Sequence, residues 1–200
     1  MSFPILGLTG PSGAGKGLVA KHLQDAHGFA WIDTDAVYHE LTNAPSPCLA
    51  ELQEAFGSDV IKQDKLDRKA LAAIVFAPDA KDKLELLNRI THKHVLKVTQ
   101  ASIQDARQNQ AAGAIIDAPL LFEAGADKLC THTAAVLADK DVRMERIMAR
   151  DGLTNQAAQR RLNAQKPDAF YVEKADFILE NNGDMDAVHA LVDALAKELL

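Results

Sequence analysis

The chain reads as an α/β protein built on a doubly wound, parallel five-stranded sheet, and three observations lead there. Five short apolar runs, Ile5 to Leu8, Phe29 to Ile32, Ala114 to Ile116, Ala134 to Ala138 and Phe177 to Leu179, are bounded by turn residues and separated by helical patterns. None alternates apolar with polar residues as a strand with one wet face would. Helices are therefore expected on both faces, carrying the crossovers between parallel strands. A glycine-rich turn leaves the first strand, and in open sheets of this kind ligands gather at the strands' carboxyl ends.

At 200 residues and 48% hydrophobic, the chain can bury one core and still carry appendages on the same domain. Its 22 basic and 28 acidic residues leave a net charge of −6, which excludes a whole-protein field attracting nucleic acid or an anionic membrane, and neither partner is expected. Cys48 and Cys130 match no metal or redox spacing; they read as reduced thiols and point to the cytoplasm. Met1-Ser2-Phe3-Pro4 shows no basic stretch leading into a long apolar one, so no export signal is expected. Apolar runs such as Ala70 to Ala77 fall short of the roughly 18 residues that span a bilayer.

The first strand runs into Gly10-Pro11-Ser12-Gly13-Ala14-Gly15-Lys16-Gly17, and the helical run Leu18 to Leu23 follows. Strand, glycine-rich turn and helix in that order make a phosphate-binding loop. The glycines let successive backbone N–H groups converge on phosphate oxygens, and the helix amino terminus adds favourable partial charge. Lys16 is placed to bridge β- and γ-phosphates, which implies a nucleoside triphosphate as co-substrate. The last position of the pattern ordinarily holds a Ser or Thr hydroxyl that coordinates Mg2+, and here it is Gly17. Water can replace that ligand, so weakened rather than abolished use of magnesium is expected.

The second strand ends in Asp33-Thr34-Asp35, and alternation along extended chain would put both carboxylates on one side near the loop. One can orient or deprotonate an acceptor hydroxyl while the other supports the metal through water; capping of a helix by Asp35 is the plainer alternative. From Ala36 to Gln110 no comparable strand appears, and the segment reads as a helical insertion punctuated by Pro45, Pro47 and Pro78. Its helices are expected at Asp67 to Phe76, with Asp67 as cap, at Asp79 to Ile90 and at Val95 to Gln108. His92 and His94 are two apart, which on a helix points them away from each other and argues against a shared metal.

The third strand leads through Asp117 into Ala118-Pro119-Leu120-Leu121-Phe122-Glu123, where Asp117 can reach a metal's outer shell or simply cap a turn. After the fourth strand a second helical stretch, Asp141 to Lys166, carries Arg143, Arg146 and Arg150 along one face, with Arg160 and Arg161 beyond. Phosphoryl transfer spreads negative charge over the moving group, so an arginine from such a segment is the expected partner, Arg146 and Arg150 foremost. A solvated basic face making surface ion pairs is the alternative. The fifth strand precedes an amphipathic helix, Met185 to Leu200, expected to bury Val188, Leu191, Val192 and Leu195.

Taken together, these residues resemble the dephospho-CoA kinase family over nearly the whole chain. The matching stretches, in order, are Gly7-Leu8-Thr9-Gly10 with its loop, Ile32-Asp33-Thr34-Asp35, Phe56-Gly57, Leu66-Asp67-Arg68 with Leu71 and Phe76, and Leu87-Asn88 with His92. Asp117 through Glu123 follows, of which Pro119-Leu120-Leu121-Phe122-Glu123 is the most specific part. Arg146, Arg150, Gln165, Ala175-Asp176 and Asn181-Asn182-Gly183 complete the series. The resemblance implies a single P-loop kinase domain over 1–200, with a core at 1–35, 111–140 and 167–200, a substrate-binding insertion at about 36–110 and a lid at about 141–166. It implies transfer of the ATP γ-phosphoryl group to the ribose 3′-hydroxyl of dephospho-CoA, the last step of coenzyme A synthesis.

By position, Asp35 would serve the acceptor hydroxyl, Lys16 the phosphates, and Arg146 or Arg150 the developing charge. Gly10 to Gly17 and Asn182 would bind nucleotide. Asp33, Asp35, His92, Asp117, Leu120 and Glu123 would face the substrate, and Asp33 and Asp117 would hold Mg2+ through water. Two positions depart from the family. Gly17 lacks its hydroxyl, and Lys93 follows His92 where proline is usual, which would alter how the helix near the acceptor site begins. Two other readings stay open, a nucleotide-binding relative with impaired catalysis and a kinase of this fold for another hydroxyl. No guanine-selective Asn-Lys-x-Asp segment supports a nucleotide switch, and the oligomeric state is not legible.

Overall fold

The computed structural model describes residues 3–200; Met1 and Ser2, part of the terminus read above for an export signal, lie outside the described residues. The elements follow the chain as β1 (Ile5–Thr9), α1 (Lys16–His27), β2 (Phe29–Asp33), α2 (Thr34–Asn43), α3 (Pro47–Phe56), β3 (Ile61–Lys62), β4 (Lys65–Leu66), α4 (Arg68–Val75) and α5 (Lys81–Gln108). Then come β5 (Gly113–Asp117), β6 (His132–Leu137), α6 (Lys140–Asp151), α7 (Asn155–Asn163), α8 (Asp168–Val172), β7 (Phe177–Glu180) and α9 (Met185–Leu199). All five strands read from the apolar runs are present, each within two residues of its expected ends.

The main sheet is parallel in the order β2-β5-β1-β6-β7, with Leu6 registered against Ile115 on one side and His132 on the other. The strand order reverses around β1, so the loop leaving β1 sits at the switch point where such sheets bind ligands. Every residue of β1 and of β5 is buried, which explains the unbroken apolar runs.

Two compact units make up the chain: one holds the residues up to Ile32 together with Ile103–Leu200, the other Asp33–Ser102. The first unit's core joins Leu6 and Leu8 of β1, Val19 and Leu23 of α1, Val136 of β6 and Val188, Val192 and Leu195 of α9. Each such side chain taken fully out of water stabilises the fold by about 1.5–3 kcal/mol. In α9 the expected face turns slightly: Leu191 is exposed, and Ala196 and Leu199 are buried instead.

The second unit has its own core of Leu49, Leu52, Val60, Leu66, Leu71, Val75 and Ile90. Asp67 caps α4, accepting from the N–H groups of Lys69 and Ala70, as its placement predicted. Two expectations are corrected. A small antiparallel hairpin, β3 and β4, interrupts the insertion, turning through Gln63 and Asp64, both with positive φ. Paired left-handed residues make the turn that suits a two-residue hairpin, but without Asn-Gly or Asp-Gly nothing in the sequence announces it. The helices expected at 79–90 and 95–108 are one 28-residue helix, α5. Position 93 lies in its interior, not at a start, and Lys93 pairs there with Glu51 at 2.5 Å. No glycine or proline breaks the run, so the i to i−4 bonding carries through.

Candidate active site

The loop from Gly10 to Gly15 is shaped by positions that tolerate no side chain. Gly10 has φ of 137°, and a Cβ there would lie 2.1 Å from the Val136 carbonyl oxygen of β6. Gly15, with φ of 96°, precedes α1, and its Cβ would fall 2.1 Å from Asn181 Nδ2. Backbone in this conformation turns N–H groups inward and carbonyls outward. The carbonyls are met from behind. Lys16 Nζ donates to Gly10 O at 3.1 Å, and Asn181 Nδ2 donates to Ala14 O at 2.7 Å. Arg146, from α6, donates to the carbonyls of Gly13 and Ala14 at 3.5 Å each and to Asn181 O at 3.1 Å, while its second nitrogen reaches Asn181 Oδ1 at 3.3 Å.

On the inward side, the Ser12 N–H donates to Gln165 Oε1 at 3.2 Å, an amide oxygen occupying a bond that a phosphate oxygen can take. Arg150 is exposed; it forms a fork with Asp151 at 2.7 and 2.9 Å and touches Ser12 Oγ at 3.5 Å. Asp151 holds the Arg150 guanidinium above its ordinary pKa, and Arg150 first, then Arg161, holds the Asp151 carboxyl below its own. Arg143, on the same helix, is buried and bonds Asp168 at 3.2 Å, so it is no part of a solvated basic face.

Asp117 closes β5 in register with Leu8, two residues before Gly10, and is buried. Beyond it Leu120 is half exposed and Glu123 is exposed, while Leu121 fills the space under Gly7. Cys130 lies beside Leu121 under the same strand, where burial pushes its thiol up to about 12. For magnesium the chain offers carboxylate oxygens, a donor type that suits this hard cation. Position 17 offers none, but a Cβ there meets nothing within 4 Å, so a hydroxyl side chain would fit.

Three further predicted residues, Asp33, Asp35 and His92, fall in the second unit. Asp33 and Asp35 do not alternate on extended chain, because helix begins at Thr34. Asp33 is the cap, its Oδ1 accepting from the N–H groups of Asp35 and Ala36 at 2.9 and 3.1 Å, and Asp35 sits in the exposed first turn of α2. The plainer alternative, capping, was right in kind but belongs to Asp33. His92 is half-buried within α5, and His94 instead bonds Glu51 at 2.7 Å. In the first unit, the loop's amide partner is Asn181, 2% exposed, whereas Asn182 is exposed and accepts from the Asp139 N–H at 2.8 Å. The resemblance gives Asn182 a role toward nucleotide; the loop-supporting role of Asn181 was missed, because two adjacent asparagines after a strand give no signal to choose between them.

A parallel sheet with a glycine loop at its switch point, a lysine at the end of that loop and a helix opening on it define a P-loop kinase, an ATP-dependent phosphotransferase. The family model for dephospho-CoA kinase matches residues 4–187, and the chain belongs to that family. It is 41% identical to the dephospho-CoA kinase of Moorella thermoacetica, covering 98% of this chain and 92% of that one. With the enzyme of that name from Corynebacterium glutamicum it shares 37% identity, covering 98% and 96%. The solved structure of dephospho-CoA kinase from Campylobacter jejuni superposes with a TM-score of 0.68 at 26% identity, covering 97% and 96% of the two chains.

Proposed function

We propose that this chain transfers the γ-phosphoryl group of ATP to the ribose 3′-hydroxyl of dephospho-CoA. The observation that carries the reading is the match of a dephospho-CoA kinase model across 184 residues, 4–187, which includes the whole phosphate loop and its supports. Backbone N–H groups of the loop bind the β- and γ-phosphates, and Lys16 exchanges the Gly10 carbonyl for phosphate oxygen. Asp35 orients the acceptor hydroxyl and takes its proton. Arg150, held by an exposed fork that a phosphate can replace, meets the charge on the moving group, while Arg146 keeps the loop in shape.

Asp33 and Asp117 would hold Mg2+ through water, without help from position 17. When bound, the ion neutralises charge on the β- and γ-oxygens. His92, Leu120, Glu123 and the helical insertion face the CoA substrate, and residues 141–166 act as the lid, consistent with Gln165 on the loop amide. The two free cysteines suit the reducing cytoplasm, and among the described residues no helix is long and apolar enough to cross a membrane.

The test is incubation with ATP, Mg2+ and dephospho-CoA, with coenzyme A followed by mass. Product from the wild type and none from Lys16→Ala is expected. No product from wild-type protein that binds ATP would overturn the assignment of acceptor.

A further inference from the structure

On the first unit, away from the loop, α1 and α9 pack side by side and bring together residues far apart in sequence. His22 Nε2 and His27 Nε2 each lie 2.7 Å from the same atom, Asp193 Oδ1. One ligand atom from each residue falls within 4.8 Å of the others, and the ring of His189 stacks on that of His22 at 4.0 Å. His189 and Asp193 are four apart on α9, hence on one face. All three potential ligands are partly open to solvent, so an ion can reach them.

We propose that His22, His27 and Asp193 form a binding site for a borderline divalent transition metal of the zinc class, outside the phosphoryl-transfer centre and independent of that reading. Two imidazoles and one carboxylate are a donor set that zinc accepts, with water completing a tetrahedron. Metal–ligand bonds of about 2.0–2.1 Å put tetrahedral ligand atoms roughly 3.4 Å apart. Side-chain adjustments of about 1 Å bring the present cluster to that spacing. His189, stacked flat on His22, fixes the ring that must face the ion and acts as a positioning residue. Bound metal would tie α9 to α1, the helix that carries the phosphate loop at its start.

The experiment uses the full chain without a polyhistidine tag, stripped with chelator and dialysed. Zn2+ is titrated by calorimetry, and Co2+ is followed by the visible absorption of tetrahedral cobalt. One ion per chain is expected, with affinity falling roughly 10-fold or more in His22→Gln and Asp193→Asn, by analogy with the loss caused by removing even a supporting group. His94→Gln, which disturbs the His94–Glu51 pair instead, should bind as the wild type does. Zn2+ should raise the melting temperature of the wild type and leave Asp193→Asn unmoved, which also checks that the variant folds. Failure to bind Zn2+, or equal affinity in wild type, His22→Gln and Asp193→Asn, would overturn the site and leave two histidines sharing a carboxylate.

Discussion

Asn181 and Asn182 stand side by side, and the structure assigns them very different consequences when each is cut to alanine. Asn181 is buried, donates to the Ala14 carbonyl at 2.7 Å and accepts from the Arg146 guanidinium at 3.3 Å. A neutral hydrogen bond contributes about 0.5–1.5 kcal/mol and one to a charged group about 1.5–3. The pair is therefore worth about 2–4 kcal/mol, and the Ala14 carbonyl loses its closest donor. For a domain of this size each kcal/mol moves the melting temperature by about 2–4 °C, so Asn181→Ala should melt about 5–15 °C lower. Asn182 is exposed and loses a single bond from the Asp139 N–H, so Asn182→Ala should stay within about 1 kcal/mol. Thermal melts followed by circular dichroism measure the first effect. The KM for ATP measures the second: it should rise several-fold in Asn181→Ala, whose loop is loosened, and hold in Asn182→Ala. Equal melts and equal KM values for the two variants would refute the claim that Asn181 shapes the loop.

Gly17→Ser should lower the Mg2+ concentration for half-maximal rate without loss of stability, since its Cβ meets no atom and Gly is the weaker helix former by about 0.5 kcal/mol; an unchanged requirement removes position 17 from metal handling. Arg150→Ala should reduce kcat by about 10³ or more with little change in melting, whereas Arg146→Ala should lower both, because Arg146 is bonded to two loop carbonyls and to Asn181 while the exposed Arg150 reaches the loop only at Ser12 Oγ; matching effects on stability would contradict that division. Asp67 has its pKa lowered by the Lys62 ammonium first and by the Ala70 N–H next, so its contribution is present above the unfolded carboxylate value of about 3.9 and is lost as pH falls through the lower folded value. Urea midpoints for Asp67→Asn should accordingly show a shallower decline on acidification than the wild type, and parallel declines would sink the argument.

What was legible in the sequence is what depends on contiguous pattern. Buried parallel strands are unbroken apolar runs, and all five could be found from them. The phosphate loop was legible because its glycines, lysine and flanking elements are adjacent in the chain. Errors gather where a strand gives way to something else. Asp33 and Asp35 were paired by a period of two, but the period becomes 3.6 at Thr34, and only the realised backbone shows which carboxylate turns back to cap. The sequence was equally silent about the order of the strands and about the cluster of His22, His27 and Asp193, whose members are separated by up to 171 residues.

The supports behind the loop follow from the loop's own geometry. A backbone that aims successive N–H groups at an anion must aim the intervening carbonyls away from it, into the protein, where an unpaired carbonyl costs about 1–3 kcal/mol. Gly10, Gly13 and Ala14 all present such oxygens, and Lys16, Arg146 and Asn181 meet them. Two of those three donors are cationic, so the groups that satisfy the carbonyls also raise the potential on the side where phosphate arrives. Lys16 holds the Gly10 carbonyl at 3.1 Å from the first turn of α1. Arg146, bonded to three carbonyls and a side-chain amide, cannot leave without opening the loop, which is why the arginine that follows the transferred group is better sought at position 150, on the surface and one turn further along the helix.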